Sequence, residues 1–118
     1  MSKKILIVDD DPDIVSYLEA TFKDAGYATC IAYHGEDALR MVKTENPDLI
    51  TLDMDMPVKG GTMFFVGLRK EKDVKDIPVI VISGVGPRPP SLRADIPTVT
   101  KPIDRDKLLG LVAERLAV

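Results

Sequence analysis

Seven side chains in this 118-residue chain could do chemistry together, and all are oxygen or nitrogen groups suited to phosphate or to a cation that binds it. Asp9, Asp10 and Asp11 form a run after an apolar stretch. Asp53 follows a second apolar stretch, with Asp55 two positions on. Ser83 and Lys101 each follow a further apolar stretch. Several carboxylates gathered at one place repel each other unless a hard cation or a proton intervenes. Oxygen ligands completed by water suit Mg²⁺ or Mn²⁺. A cation, the Lys101 ammonium and the Ser83 hydroxyl would together match the negative oxygens of a phosphoryl group in transfer. A carboxylate such as Asp53 can be the covalent acceptor of that group.

The elements that must position these groups alternate along the chain. Ile5-Leu6-Ile7-Val8 is an unbroken apolar, β-branched run and reads as a strand buried on both faces. Asp11-Pro12 reads as a helix N-cap with proline at the first position. Ile14, Leu18, Phe22 and Ala25 are expected on the buried face of that helix, and Gly26 is expected to end it. A second strand is expected over 28–33, and a short helix over 36–43 with Leu39 and Val42 inward, broken by Asn46-Pro47. A third strand over 49–52 ends at Asp53. A loop with Pro57, Gly60 and Gly61 leads to a helix over 62–72. A fourth strand covers 79–82 and ends at Ser83, and a short fifth strand covers 96–99 and runs into Lys101-Pro102. Asp104 can cap a last helix with Leu108, Leu109, Val112 and Leu116 as its apolar stripe.

Five βα repeats imply an α/β domain with a parallel sheet covered on both faces. In such a sheet ligands bind beyond the carboxyl ends of the strands. Those ends carry Asp9-Asp10-Asp11, Asp53, Ser83 and Lys101, so the fold itself would bring these six groups to one edge, with Asp55 two residues beyond Asp53. A chain of this length suits one domain over 1–118, burying roughly 60–70% of its unfolded surface. A net charge of −3, with basic residues scattered among acidic ones, argues against direct nucleic-acid binding. One cysteine, Cys30, excludes an internal disulfide and fits a reducing compartment. The apolar stretch after Met1-Ser2-Lys3-Lys4 is too short for a signal-peptide core or a membrane span, so a cytoplasmic location is expected.

In its hallmark segments the sequence resembles a response regulator receiver domain of two-component signal transduction. These segments are Ile5 through Pro12, Asp53-Met54-Asp55-Met56-Pro57 with Gly61, Ile77-Pro78-Val79-Ile80-Val81-Ile82-Ser83, and Thr100-Lys101-Pro102. The resemblance implies a flavodoxin-like, doubly wound five-stranded parallel sheet of order 2-1-3-4-5. It implies Asp53 as phosphoacceptor, Asp10 as a direct Mg²⁺ ligand and Asp9 as one acting mainly through water. Asp53 itself and the backbone carbonyl of Asp55 would complete the protein ligands. Ser83 and Lys101 would bind phosphoryl oxygens, and the Lys101–Pro102 bond would be cis. The implied partner is a histidine kinase or a histidine phosphotransfer protein, and the implied catalysis is confined to the domain's own phosphorylation and dephosphorylation.

Three features depart from the family pattern. The stretch between Ser83 and Lys101 is short and contains Gly84, Gly86, Pro87, Pro89 and Pro90, so the fourth helix is expected to be short or absent. Thr98, the switch position, stands where the family usually has an aromatic residue. Met63, Phe64, Phe65, Val66 and Leu68 make the helix at 62–72 apolar on more than one face, which would be covered by the following loop or by a second copy of the chain.

Plainer roles compete for single residues. Asp11 is a helix cap. His34 is an ordinary loop residue without a partner in sequence, and Cys30 a small buried hydrophobe. Two other functions also compete. Leu49-Ile50-Thr51-Leu52-Asp53-Met54-Asp55 fits a haloacid dehalogenase-type phosphatase, with Asp53 as nucleophile and Asp55 as general acid. Too few residues follow Asp53 for that fold, and it leaves Asp9 and Asp10 unexplained. A receiver-shaped interaction module independent of phosphorylation is opposed by the complete Asp9, Asp10, Asp53, Ser83 and Lys101 set.

Overall fold

In the computed structural model the described residues are 3–53, 67, 70, 76–84 and 96–116. Five strands, β1 (Lys4–Val8), β2 (Ala28–Ala32), β3 (Leu49–Asp53), β4 (Val79–Ser83) and β5 (Thr98–Thr100), form one sheet. Three helices complete the described elements: α1 (Pro12–Asp24), α2 (Gly35–Glu45) and α3 (Arg105–Leu116). The strand order is β2-β1-β3-β4-β5, and every pairing is parallel, as expected.

Alternation along the strands divides the core in two. Leu6, Val8, Ile50, Leu52, Val79 and Val81 pack with Ala38 and Val42 of α2. Ile5, Ile7, Leu49, Ile80, Ile82 and Val99 pack on the other face with Val15, Leu18 and Phe22 of α1 and Leu108 and Val112 of α3. The central strands are mostly apolar on both faces because both faces of a parallel sheet are covered.

Helix boundaries follow local chemistry. Asp11 caps α1, its Oδ1 accepting the Asp13 N–H at 2.9 Å. At the other end Gly26 adopts φ +95°, a conformation that favours glycine. The Gly26 N–H donates to Lys23 O and the Tyr27 N–H to Phe22 O, both at 3.0 Å, closing a Schellman motif. The Tyr27 and Phe22 rings meet edge to face at 6.4 Å and seal it. Asp104 caps α3 by accepting the Lys107 N–H at 3.1 Å. No helix among the described residues is long and apolar enough to cross a membrane.

Four expectations need correction. The buried face of α1 is Val15, Leu18, Thr21 and Phe22, whereas Ala25 is the exposed C-cap, because the Schellman turn unwinds the helix before that residue could face the sheet. β2 ends at Ala32, leaving Tyr33 48% exposed beyond the edge of the sheet. α2 is longer than expected at both ends, and Asn46 in the left-handed region stops it. β5 begins at Thr98 rather than Ile96. Pro97 has no N–H to give to the ladder and contributes only its carbonyl, which accepts the Val81 N–H at 2.9 Å. Ile96 is nevertheless buried in the α2-side core.

Of the helix expected over 62–72, Gly67 and Lys70 are described, and both are helical. A Cβ on Gly67 would come 3.0 Å from Leu39 Cδ1, so the backbone at Gly67 lies close against α2. Its apolar residues, Asp55, and the fourth-helix region at 85–95 lie outside the described residues.

Two substitutions test this account of the core. Thr51 is buried at 1% exposure, and its hydroxyl has no hydrogen-bond partner. An unpaired buried hydroxyl is costly, so Thr51→Val is expected to stabilise the fold by about 1–2 kcal/mol in urea unfolding. Gly110 lies exposed inside α3 with nothing within 4 Å of where a Cβ would stand. Gly110→Ala is expected to add about 0.5–1 kcal/mol by the same measurement, through helix propensity alone.

Candidate functional site

β1 and β3 are central neighbours in register, with Val8 opposite Leu52. The residues just after and at their carboxyl ends, Asp9 and Asp53, therefore come side by side. Both are buried, at 1% and 2% exposure. Asp10 follows on the exposed side. One carboxylate oxygen from each of Asp9, Asp10 and Asp53 lies within 4.8 Å of the others, the group among the described residues with the makings of a cation site.

The basic group arrives from the other direction. β4 and β5 pair with Ser83 opposite Thr100, and the Lys101 N–H donates to Ser83 O at 2.9 Å. The Lys101–Pro102 peptide bond is cis. Lys101 Nζ lies 3.6 Å from Asp53 Oδ1, an ion pair too long for a strong hydrogen bond. Ser83, half-buried, is thus tied to Lys101 through the backbone at the same edge. Thr98 sits half-buried in β5 opposite Val81.

Asp9 carries the strain of the cluster. Its Oδ1 accepts the Asp11 N–H at 2.9 Å. Its Oδ2 is buried and accepts no hydrogen bond. Burial, in the first place, pushes the Asp9 carboxyl up from 3.8 to about 6. The Asp11 N–H pulls the other way, the Asp53 carboxylate raises it further, and Lys101 offsets part of that.

An orphaned, buried carboxylate oxygen beside two more carboxylates is what a hard divalent cation would satisfy. The three carboxylate oxygens already lie within 4.8 Å of one another. The donor set, all oxygen, fits such an ion.

The structure brings together Asp9, Asp10, Asp53 and Lys101, with Ser83 attached to Lys101 through a backbone bond. Two readings from the sequence change. Asp11 does more than cap a helix, since its own N–H holds Asp9. The signal was present in the cap itself, which fixes the backbone that carries that N–H. His34 is not partnerless: Nε2 lies 3.0 Å from Asp37 Oδ2, and the other oxygen of Asp37, Oδ1, pairs with Arg40. The spacing of three on α2 would have revealed it. Cys30 is partly buried in β2, and burial pushes its thiol up to about 11, consistent with a packing role.

Comparison with known proteins places this geometry. The family model described as "Response regulator receiver domain" matches residues 5–113. The chain is similar to Protein Rrf1 of Nitratidesulfovibrio vulgaris, with 34% identity covering 99% of this chain and 85% of that protein. It is 43% identical over 61% of its length to the alkaline phosphatase synthesis transcriptional regulatory protein PhoP of Bacillus subtilis, and this match spans 30% of PhoP. Among solved structures, a putative response regulator from Chloroflexus aurantiacus superposes with a TM-score of 0.88 at 26% identity, covering all of both chains.

Proposed function

The chain belongs to the response regulator receiver family, and from that premise we propose that Asp53 accepts a phosphoryl group from a phosphohistidine on a histidine kinase or phosphotransfer protein. One observation carries the reading: the buried Asp53 carboxylate is paired with Lys101 on one side and gathered with Asp9 and Asp10 on the other.

Asp9, Asp10, Asp53 and the backbone carbonyl of Asp55 would hold Mg²⁺ or Mn²⁺. When bound, the ion supplies charge neutralisation at the phosphoryl oxygens. An Asp53 oxygen attacks phosphorus while the bond from phosphorus to the imidazole nitrogen breaks, and the imidazole leaves with its electron pair. The Lys101 ammonium lies beside Asp53 and stabilises the charge on one phosphoryl oxygen. Ser83 offers a hydroxyl to another. The aspartyl phosphate then biases a two-state equilibrium through its bonds to Ser83 and Lys101. With Thr98 in β5, that bias leaves the site without the aromatic rearrangement usual in the family. The cycle is a cytoplasmic signalling event, a single covalent acceptance followed by hydrolysis, rather than turnover of small phosphate esters.

Intact-mass measurement after incubation with acetyl phosphate and Mg²⁺ tests the proposal. One added phosphoryl group is expected, and none when the metal is chelated. Absence of an adduct with both acetyl phosphate and a phosphorylated histidine donor would overturn it. Sustained release of phosphate from an aryl phosphate would favour the phosphatase reading instead.

A further inference from the structure

Asp11 sits between the cation cluster and α1 and bonds in both directions. Its backbone is extended, at φ −93° and ψ 111°. Its side chain accepts the Asp13 N–H at 2.9 Å, and its carbonyl accepts the Val15 N–H at 3.0 Å. These two bonds to the first turn of α1 fix the Asp11 Cα and the Asp11–Pro12 peptide plane, the anchor from which the Asp11 N–H projects. That N–H in turn donates to Asp9 Oδ1 at 2.9 Å. A carboxylate with one oxygen held has only one way to present the other. In Asp9 the other oxygen, Oδ2, is buried and without a hydrogen bond, and a ligand oxygen of Asp9 lies within 4.8 Å of those of Asp10 and Asp53.

We propose that Asp11 is a positioning residue for the cation site: its cap on α1 aims its own N–H at Asp9 Oδ1 and so leaves Asp9 Oδ2 as the oxygen offered to a cation. The inference rests on the reading that these three carboxylates hold a divalent cation. Asp11 touches no ligand itself. It acts through Asp9, as outer partners of metal ligands do, by removing the freedom of the ligand to turn away. Its charge is incidental, and what matters is an N-cap acceptor that holds the backbone.

Titration of the protein with Mg²⁺, followed by the amide resonances of Asp9, Asp10, Asp11 and Asp13, tests this without any assay of phosphorylation. Asp11→Ala is expected to weaken Mg²⁺ binding about tenfold, in the range seen when an outer partner of a metal ligand is lost. Asp11→Asn and Asp11→Ser keep the cap and are expected to stay within about threefold of the parent. Asp104→Ala removes the cap of α3 and serves as the stability control, with Mg²⁺ affinity unchanged. If Asp11→Ala binds Mg²⁺ as the parent does, the proposal is overturned while the cation site stands. If Asp11→Asn is as weak as Asp11→Ala, charge rather than positioning is responsible, and the proposal again falls. If the parent shows no saturable Mg²⁺ binding, the cation-site reading itself is overturned.

Discussion

Asp53→Asn is expected to abolish phosphoryl acceptance while leaving the fold intact. The amide keeps the shape of the carboxylate but cannot attack phosphorus to give an acyl phosphate. Intact mass should show no adduct under conditions that add one phosphoryl group to the parent. The loss cannot be put down to unfolding, because the charges around Asp53 nearly balance. At an effective dielectric of 20, the ion pair with Lys101 at 3.6 Å is worth about 4–5 kcal/mol. Asp9 and Asp10 each bring a carboxylate oxygen within 4.8 Å of one on Asp53, and on the same basis each repels it by about 3 kcal/mol or more, Asp10 more weakly because it is exposed. Removing the charge also removes the cost of burying it at 2% exposure. The thermal midpoint without metal should therefore be at or above that of the parent. With one carboxylate fewer, the rise on adding Mg²⁺ should be smaller. A variant that unfolds, or that still takes up the phosphoryl group at another residue, would count against Asp53 as acceptor.

Stability should depend on pH in opposite senses with and without the cation. Asp9 is raised from 3.8 to about 6 by burial, so in the metal-free protein the folded state holds this proton more tightly than the unfolded chain does. More protons on the folded state mean that stability falls as pH rises. The contribution of Asp9 is fully favourable below about 4 and is lost by the time pH has passed about 6. The displacement corresponds to roughly 3 kcal/mol at most. Mg²⁺ competes with the same proton. Its affinity should weaken about tenfold per pH unit below 6, and its stabilising effect should appear as the proton leaves. Urea midpoints between pH 4 and 8, in chelator and in excess Mg²⁺, give the two curves. Subtracting those of Asp9→Asn removes the other titrating groups. A metal-free difference curve that rises with pH would show that Asp9 is not held protonated by its surroundings.

The two predictions draw on different levels of the molecule. Asp53 could be picked from the sequence, because an acid at the end of a buried strand in a parallel sheet has one place to go. The same holds for Asp9, Asp10, Ser83 and Lys101. Apolar runs define strands, alternation with helices makes the sheet parallel, and a parallel sheet puts all strand ends of one kind at one edge. Caps were equally legible. Asp11, Gly26 and Asp104 act on backbone groups within a few residues, so short-range chemistry suffices to place them.

Other features needed the assembled sheet. The start of β5 depended on Pro97 meeting Val81 across the ladder, and the apolar pattern of residues 96–99 does not encode that neighbour. Thr51 reads as an ordinary strand residue until the cores on both faces close around its hydroxyl. The burial of Asp9, and hence its raised carboxyl, comes from β1 lying between two other strands. A run of three aspartates after a strand reads as an acidic strand end, and nothing in it distinguishes the first, buried, from the second and third, exposed.

What the sequence by itself determined is therefore the inventory of the site and the edge of the fold where it assembles, since both follow from periodicity, capping and strand polarity within local stretches of chain. What only the tertiary structure decided is the state of that inventory: which carboxylate is buried, which of its oxygens is held and which is left open, and which carboxylate Lys101 pairs with. Burial and charge pairing are set by neighbours far away in sequence, and those neighbours exist only once the strands have taken their order in the sheet.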